Sequence, residues 1–538
     1  MGYNELSYLF IFLPLTVLLY SISPKKFRKY VLTAVSWVYF WLCSKYLIVY
    51  LLGDTVFIYL MGLWIGKVGD SIPENYEVLI RKAEKSGEKS PEISALKRKK
   101  AFHKTLMLVS IIILFGILLY LKYTGFFMSI ANRFIVKGGG VPLVAPTLLV
   151  PIGLSFYTLE AVGYILEVYW KRIPAEHDFF GIALLIGFFP QTMEGPIARY
   201  GDTVRQFTGE QKLFERNGQD MAYAVMRIFW GMFKKIVIAD RLNTVVANLF
   251  DKAELPHGVM IIVAAVCYTV QLYMEFSGMM DVVIGSARLV GIKLPENFRQ
   301  PFFSQTASEF WRRWHITLGV FLRTYVFYPV SLSKPVQALT KWTKTHFGKT
   351  AARFVTPLTA LFCVWICNGL WHGPYWTYIL YGMYYFVIIF IELLLENPVK
   401  AFNERFHLDE NGWGWKLFRF IKLFIIVIIG EMFFLAPDFN TGWQMLVSIL
   451  TNFHLSSLAE NWLNVGMGVH DYVIVIVGYV LIFLWGVLKE TGYPLRQRFE
   501  KLPVYARWGL LYAVIAAVIL FGAYGPGYDA VAMMYAGF

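Results

Sequence analysis

The sequence predicts an all-α, polytopic integral membrane protein, and three observations predict it. Of 538 residues, 57% are hydrophobic and only 16% are charged, against about 25% charged in an average soluble domain. Apolar runs recur from end to end, and each is long enough to cross a hydrocarbon core of about 30 Å at 1.5 Å per residue. The runs lack the short alternation of an outer-membrane barrel. Backbone in lipid must satisfy its own hydrogen bonds, which favours helices.

In chain order, the first run, 5–22, has no basic residues ahead of it and is followed by PKKFRK. That reads as a retained span with a cytoplasmic flank, not a cleaved leader. Runs at 30–49 and 50–66 follow. The polar stretch 67–104 alternates charge sign (RKAEKSGEK) and carries KRKK at 97–100, as expected of a solvated, partly helical cytoplasmic segment. Further spans are expected at 105–122, 148–169, 221–239, 259–275, 354–372, 375–396, 418–436, 472–488 and 507–525. Shorter embedded pieces are expected at 180–190, 278–292, 310–330 and 441–453. The basic loops, placed inside, put the N-terminus outside. The formal charge of +14 sits mainly in those loops, so no nucleic-acid partner is expected. Cys43, Cys267, Cys363 and Cys367 fall in apolar segments and read as buried free thiols. No metal-ligand spacing occurs, and no metal is expected.

Three stretches depart from simple spans: GFFPQTMEGPIARY (187–200), LPENFRQPFFS (294–304) and SEFWRRWHITLGVFLRTYVFYP (308–329). Non-helical, polar backbone at membrane depth is tolerated where protein buries it or a wet cavity is lined, so these read as a protein-lined interior.

Two of the nine histidines stand apart. His103, His177, His257, His346, His407, His454 and His470 lie in or beside polar loops and read as surface. His315, taken as helical, would stack with Trp311 and Gly319 and have Arg312 beside it. Burial and positive charge would keep its ring neutral, the form a general base needs; the bland alternative is a core histidine bonded to backbone. His372 has Asn368 one turn back, able to fix its tautomer. Pro374 places His372 at a helix end, and Gly369 and Gly373 permit close backbone approach. Ionisable residues in apolar segments are functional candidates. Arg312, Arg313 and Arg323, with Arg199 and Lys334, suit an anionic cosubstrate, or are ordinary positive-inside charge. No serine-nucleophile elbow, phosphate loop or metalloprotease motif is present.

These residues carry a resemblance. PIGLSFYTLEAVGYILEVYW (151–170), FFPQTMEGPIARY, QLYMEFSGMMDVVIGSARLVGIKLPENFRQPFFS (271–304), the 308–329 stretch, NGLWHG (368–373) and GEMFFLAPDFNTGWQML (430–446) together resemble the membrane-bound O-acyltransferases, in particular their bacterial alginate O-acetyltransferase branch. The resemblance implies a helical ring around a cytoplasm-facing funnel in a bacterial cell membrane. It makes His372 the essential histidine and His315 its assistant. Asn297, Asn368, Trp311, Trp371 and the arginines at 199, 312, 313 and 323 become candidate donor or substrate contacts. It also implies acetyl-CoA as cosubstrate, no permanently bound cofactor, lipid as a partner, and an extracytoplasmic protein that passes acetyl groups to a polysaccharide. The organisation that follows is N-terminal helices over 1–66, the polar loop 67–104, a catalytic core over 105–446 and C-terminal helices over 447–538. Glu167 and Glu275 stand where the branch has Asp. Thr324, Leu435 and FYPVSLSKP also depart from its pattern. A sister branch transfers D-alanine from a carrier protein toward teichoic acid and is the alternative. A transporter or flippase is the rival from another class, and it leaves the clustered motifs unexplained.

Overall fold

The computed structural model describes residues 1–87, 90–209, 216–250, 256–410 and 412–524, and these contain helices and turns but no strand. The chain divides into two compact units, Met1–Glu215 with Val290–Leu294, and Arg216–Leu289 with Pro295–Phe538. Seven helical stretches among the described residues are long and apolar enough to cross a membrane: Lys25–Asp70, Pro91–Lys137, Gly258–Leu289, Lys334–His372, Trp376–Arg405, Val469–Glu490 and Val504–Phe521.

The first unit contains α1 (Leu13–Ile22), α2 (Arg28–Ser44), α3 (Ile48–Asp70), α4 (Tyr76–Ser86), α5 (Pro91–Leu118), α6 (Thr124–Lys137), α7 (Leu154–Tyr169), α8 (Phe179–Gly187) and α9 (Tyr200–Phe207). The polar 67–104 stretch is largely helical. Gly87 ends α4 in the left-handed region at φ 69°, and Ser90 caps α5, its side chain accepting from Ile93 N with Pro91 at the first turn. The irregular segment 188–198 is buried throughout. Glu160 on α7 holds it: its Oε1 accepts from Ala198 N at 3.0 Å and from Gln191 Nε2 at 3.2 Å. Gln191 Nε2 also donates to the Leu185 carbonyl at 3.0 Å. Side chains thus supply partners that an unwound backbone in an apolar setting would otherwise lack.

The second unit contains α10 (Gly218–Met232), α11 (Asp240–Phe250), α12 (Gly258–Leu289), α13 (Ala307–Arg313), α14 (Ile316–Leu322), α15 (Tyr328–Ser331), α16 (Lys334–His372), α17 (Trp376–Arg405), α18 (Trp413–Leu435), α19 (Phe439–Thr451), α20 (Ser456–Asn461), α21 (Val469–Glu490), α22 (Leu495–Lys501) and α23 (Val504–Phe521). The pieces expected separately at 259–275 and 278–292 are one helix, α12. The polar residues that interrupt its apolar pattern have partners. Glu275 meets Lys235 at 3.0 Å, and Lys235 meets Asp240 at 2.8 Å. Asp281 meets Arg227 at 2.9 Å and Lys234 at 2.7 Å. Paired charges are tolerated in an apolar interior where single ones are not. Gly278 does not break the helix either. A Cβ there would lie 2.7 Å from the Gly231 carbonyl, so the glycine lets α10 and α12 touch.

The stretch expected as an embedded piece at 310–330 is broken into α13, α14, a π-helical turn Arg323–Phe327 and α15. The four cysteines are free and half-buried rather than buried. His103 is the exception among the seven histidines read as surface: it is 1% exposed, whereas the other six are exposed.

Helices α16 and α17 form the hairpin that presents His372. Gly348 kinks α16 at φ 82°, and the helix stops at His372, just before Pro374. A Cβ on Gly369 would stand 2.5 Å from the Tyr378 carbonyl and 3.0 Å from Ile379 Cα. Both are backbone atoms of α17 and have little room to yield. Gly369→Val should therefore part the hairpin and destabilise the protein by about 1–3 kcal/mol, read as an earlier thermal transition in detergent. Gly348→Ala faces open space but occupies a left-handed position, and should cost less, about 1 kcal/mol.

Candidate active site

His315 does not lie inside a helix, as its spacing from Trp311 and Gly319 suggested. Helix α13 ends at Arg313, and His315 sits at φ 45°, ψ 53°, ahead of α14. That left-handed conformation is uncommon for a residue with a Cβ and persists only where the surroundings impose it. Asn297 imposes it from the irregular segment before α13. Its carbonyl accepts from Ile316 N at 3.0 Å, and Arg299 N donates to the Arg313 carbonyl at 2.9 Å. Its side-chain Oδ1 accepts from Thr317 N at 3.0 Å and from Thr317 Oγ1 at 2.9 Å, and it lies 3.2 Å from His315 Nδ1.

This geometry fixes a tautomer. The Thr317 backbone N–H can only donate, so the Asn297 atom facing it is the oxygen. An oxygen that only accepts requires a hydrogen on His315 Nδ1, which leaves the lone pair on Nε2. His315 is 2% exposed and lies outside the seven long apolar stretches. Burial foremost, then the neighbouring His372, holds its imidazole well below the ordinary histidine range, so the ring is neutral. Asn297, 0% exposed, thus positions His315.

His315 lines a cavity of about 270 Å³ together with Trp311, Arg312, Arg323, Trp365 and Asn368. Two of these residues carry buried N–H groups without a partner among the described residues, Asn368 Nδ2 and Trp311 Nε1. Asn368 therefore does not donate to His372, as its spacing had suggested. Trp311 packs edge-on against Trp365 and Tyr385, with ring centroids 5.0 and 4.8 Å away. The N-terminus of α13 is tethered by Glu392 of α17, which accepts from Ala307 N at 3.0 Å and meets Lys422 at 2.8 Å.

His372 closes the far side of the same histidine pair. Trp371 is the shared wall: its ring lies 5.3 Å from the His315 ring and 5.1 Å from the His372 ring. Phe434 stands 5.3 Å from His372, and Tyr378 and Tyr381 each 6.1 Å. Behind this shell the Tyr381 hydroxyl donates to Glu431 Oε1 at 2.8 Å, and Glu431 is 1% exposed. The sequence reading did not nominate Tyr381 or Glu431. The available signal was a single carboxylate inside the apolar run FIIVIIGEMFFL.

The arginines separate. Arg312 and Arg323 reach the cavity. Arg313 does not, because Glu309 at 2.7 Å and Glu490 at 2.9 Å hold it. Arg199 belongs to the first unit and meets Asp202 on its own helix at 3.5 Å. Among the described residues no group of His, Cys, Asp and Glu is arranged to hold a metal ion.

Comparison with known proteins follows the same residues. The profile of the MBOAT, membrane-bound O-acyltransferase, family matches residues 172–436. The "Probable alginate O-acetylase AlgI" of Pseudomonas aeruginosa is 30% identical over 93% of this chain and 84% of its own length. A "Peptidoglycan O-acetyltransferase" of Helicobacter pylori is 26% identical over 68% of this chain and 69% of its own. A "Teichoic acid D-alanyltransferase" of Bacillus subtilis is 27% identical over 54% of this chain and 69% of its own.

Proposed function

The chain belongs to the membrane-bound O-acyltransferase family, and from that premise we propose that it moves an acetyl group from acetyl-CoA toward hydroxyls of an extracellular or cell-wall polysaccharide. One observation carries this reading: a neutral imidazole with its lone pair on Nε2 shares a cavity with two unpartnered N–H donors and two arginines. A thioester-to-oxygen transfer asks for these parts.

In the proposed reaction the acceptor oxygen attacks the thioester carbonyl and His372 takes its proton. His315 Nε2 accepts from a different O–H or N–H of the bound substrates and so holds them in line, a role its tautomer favours over proton donation. Asn368 Nδ2 and Trp311 Nε1 are donors for the oxygen on which charge develops. The carbon–sulfur bond then breaks, the proton on His372 passes to the leaving sulfur, and the products are an ester and a free thiol. Arg312 and Arg323 bind the phosphates of the donor. The acetyl group goes on to the polymer through an extracytoplasmic partner protein, with the funnel open to the cytoplasm and the N-terminus outside, in the cell membrane of a bacterium. D-alanyl transfer from a carrier protein is the second reading. The teichoic-acid relative favours it, though over a smaller share of the chain.

The test uses the full chain in lipid with a hydroxyl acceptor, and follows thiol release from acetyl-CoA and from a D-alanyl carrier. Release only from the carrier would overturn the acetyl assignment. In the same assay Arg323→Ala should raise KM for acetyl-CoA about tenfold, the loss of a single charge-assisted contact, with kcat little changed. Arg313→Ala should instead lower the amount of folded protein and leave KM alone.

A further inference from the structure

The buried His103 belongs to a second polar site that the acyl-transfer reading leaves unused. It lies on α5 within the first unit, where the ends of α3 and α7 meet that helix. A pocket of about 330 Å³ there is lined by Ile72, Lys100, His103, Tyr169, Trp170 and Lys171. The imidazole lies 4.6 Å from the Tyr169 ring. A Cβ on Gly69 would come within 3.1 Å of Nε2, so a glycine makes the room the ring occupies. The Ile65 carbonyl faces the ring, yet neither ring nitrogen has a partner in hydrogen-bond geometry among the described residues. A buried polar group left so needs an explanation.

The charges around it supply one. Lys171 adopts a left-handed conformation at φ 57°, unusual for a residue with a side chain. Its Nζ donates to the Ile72 carbonyl at 3.0 Å, which leaves two ammonium hydrogens for other acceptors. Lys100 Nζ lies 5.8 Å from both the Tyr76 and the Tyr169 ring centroids. Asp70 is an acidic neighbour, and it is exposed. Two ammonium groups and a buried imidazole around a pocket at the polar end of apolar helices are the chemistry that receives a phosphate. Basic pockets between membrane helices commonly take anionic headgroups.

We propose that Lys100, His103 and Lys171 form a binding site for a phosphate group, carried by an anionic lipid or by a soluble ion. The test delipidates the full chain in a neutral detergent. Native mass spectrometry then measures binding of phosphatidylglycerol and of phosphatidylcholine, and thermal shift measures binding of inorganic phosphate. Lys100→Gln with Lys171→Gln should weaken phosphatidylglycerol about 25-fold, fivefold for each basic residue, and leave phosphatidylcholine unchanged. Lys100→Arg with Lys171→Arg should restore it and shows that the pair folds. His103→Phe keeps the ring packing and should weaken binding about fivefold, one hydrogen bond's worth. Loss of the inorganic-phosphate shift in the glutamine pair, with phosphatidylglycerol unaffected, supports the same site with a soluble ligand. Unchanged binding of both probes in the glutamine pair overturns the proposal. So does parental affinity in His103→Phe, because simple surface attraction would then account for the lysines.

Discussion

Replacing His372 with alanine should lower acyl transfer by about 10²- to 10⁴-fold, the range a positioned general base supplies. The ring sits at the last residue of α16 and is 5% exposed. Trp371, Phe434, Tyr378 and Tyr381 surround it, so water is a poor substitute there. His372 does not line the cavity that holds His315, Arg312 and Arg323. Donor binding should therefore survive, and the loss should fall on kcat while the dissociation constant for acetyl-CoA stays within about twofold. His372→Gln fills more of the space and separates chemistry from packing. It should be as inactive as alanine while melting closer to the parent. Thiol release at matched amounts of membrane-embedded protein measures the first quantity, and equilibrium binding of the donor measures the second. Activity within a few-fold of the parent in either variant would remove His372 from the reaction.

Much of this site was legible in the chain because its signals are local. Pro374 cannot continue a helix and restrains Gly373, so His372 had to lie at a helix end. Gly369 announced the close pass of α17, and the structure puts the Tyr378 carbonyl where a side chain would go. The Pro-containing stretches 187–200 and 294–304 read as departures from simple spans, and they are irregular over 188–199 and 294–300, with a short 3-10 turn at Pro301–Phe303. What stayed hidden depends on partners far away in sequence. SEFWRRWHITLGVF has good helical composition, yet the helix breaks at His315 because Asn297, 18 residues earlier, captures both the ring and the start of α14. Tertiary contacts override propensity there. The interruption in α12 misled in the opposite direction. The expected spans 259–275 and 278–292 split one helix near Glu275 and Asp281, because Lys235, Lys234 and Arg227, which neutralise them, sit outside α12. His103 looked superficial because KRKK precedes it. Its burial depends on Tyr169 and Gly69, and the spacing along α5 reveals neither.

The same contrast gives Glu431 a meaning. A carboxylate in an apolar helix carries a desolvation cost unless something donates to it, and the Tyr381 hydroxyl does. Since the Tyr381 ring also walls His372, the pair fixes one side of the shell around that histidine. The carboxylate reaches the His372 ring only through Tyr381.

Asn297→Ala should cost about 100-fold in kcat, the second-largest effect expected. It should also cost about 1–3 kcal/mol in stability, because three groups lose one acceptor: the Thr317 N–H, the Thr317 hydroxyl and the His315 Nδ1–H. The activity loss has a separate cause. Without Oδ1 the ring can carry its hydrogen on either nitrogen and can leave its left-handed position, so the lone pair no longer points from Nε2 at a fixed place. Asn297→Asp distinguishes the two effects. Its carboxylate still accepts from Thr317 and from Nδ1, so the tautomer and most of the stability should return, and activity should recover to within about tenfold of the parent. The new negative charge beside a buried imidazole favours the protonated ring. The remaining deficit should therefore shrink as pH rises, because deprotonating that ring restores the neutral form. A deficit in Asn297→Asp equal to that of Asn297→Ala at every pH would show that Asn297 acts on packing alone, and His315 would then need another source for its orientation.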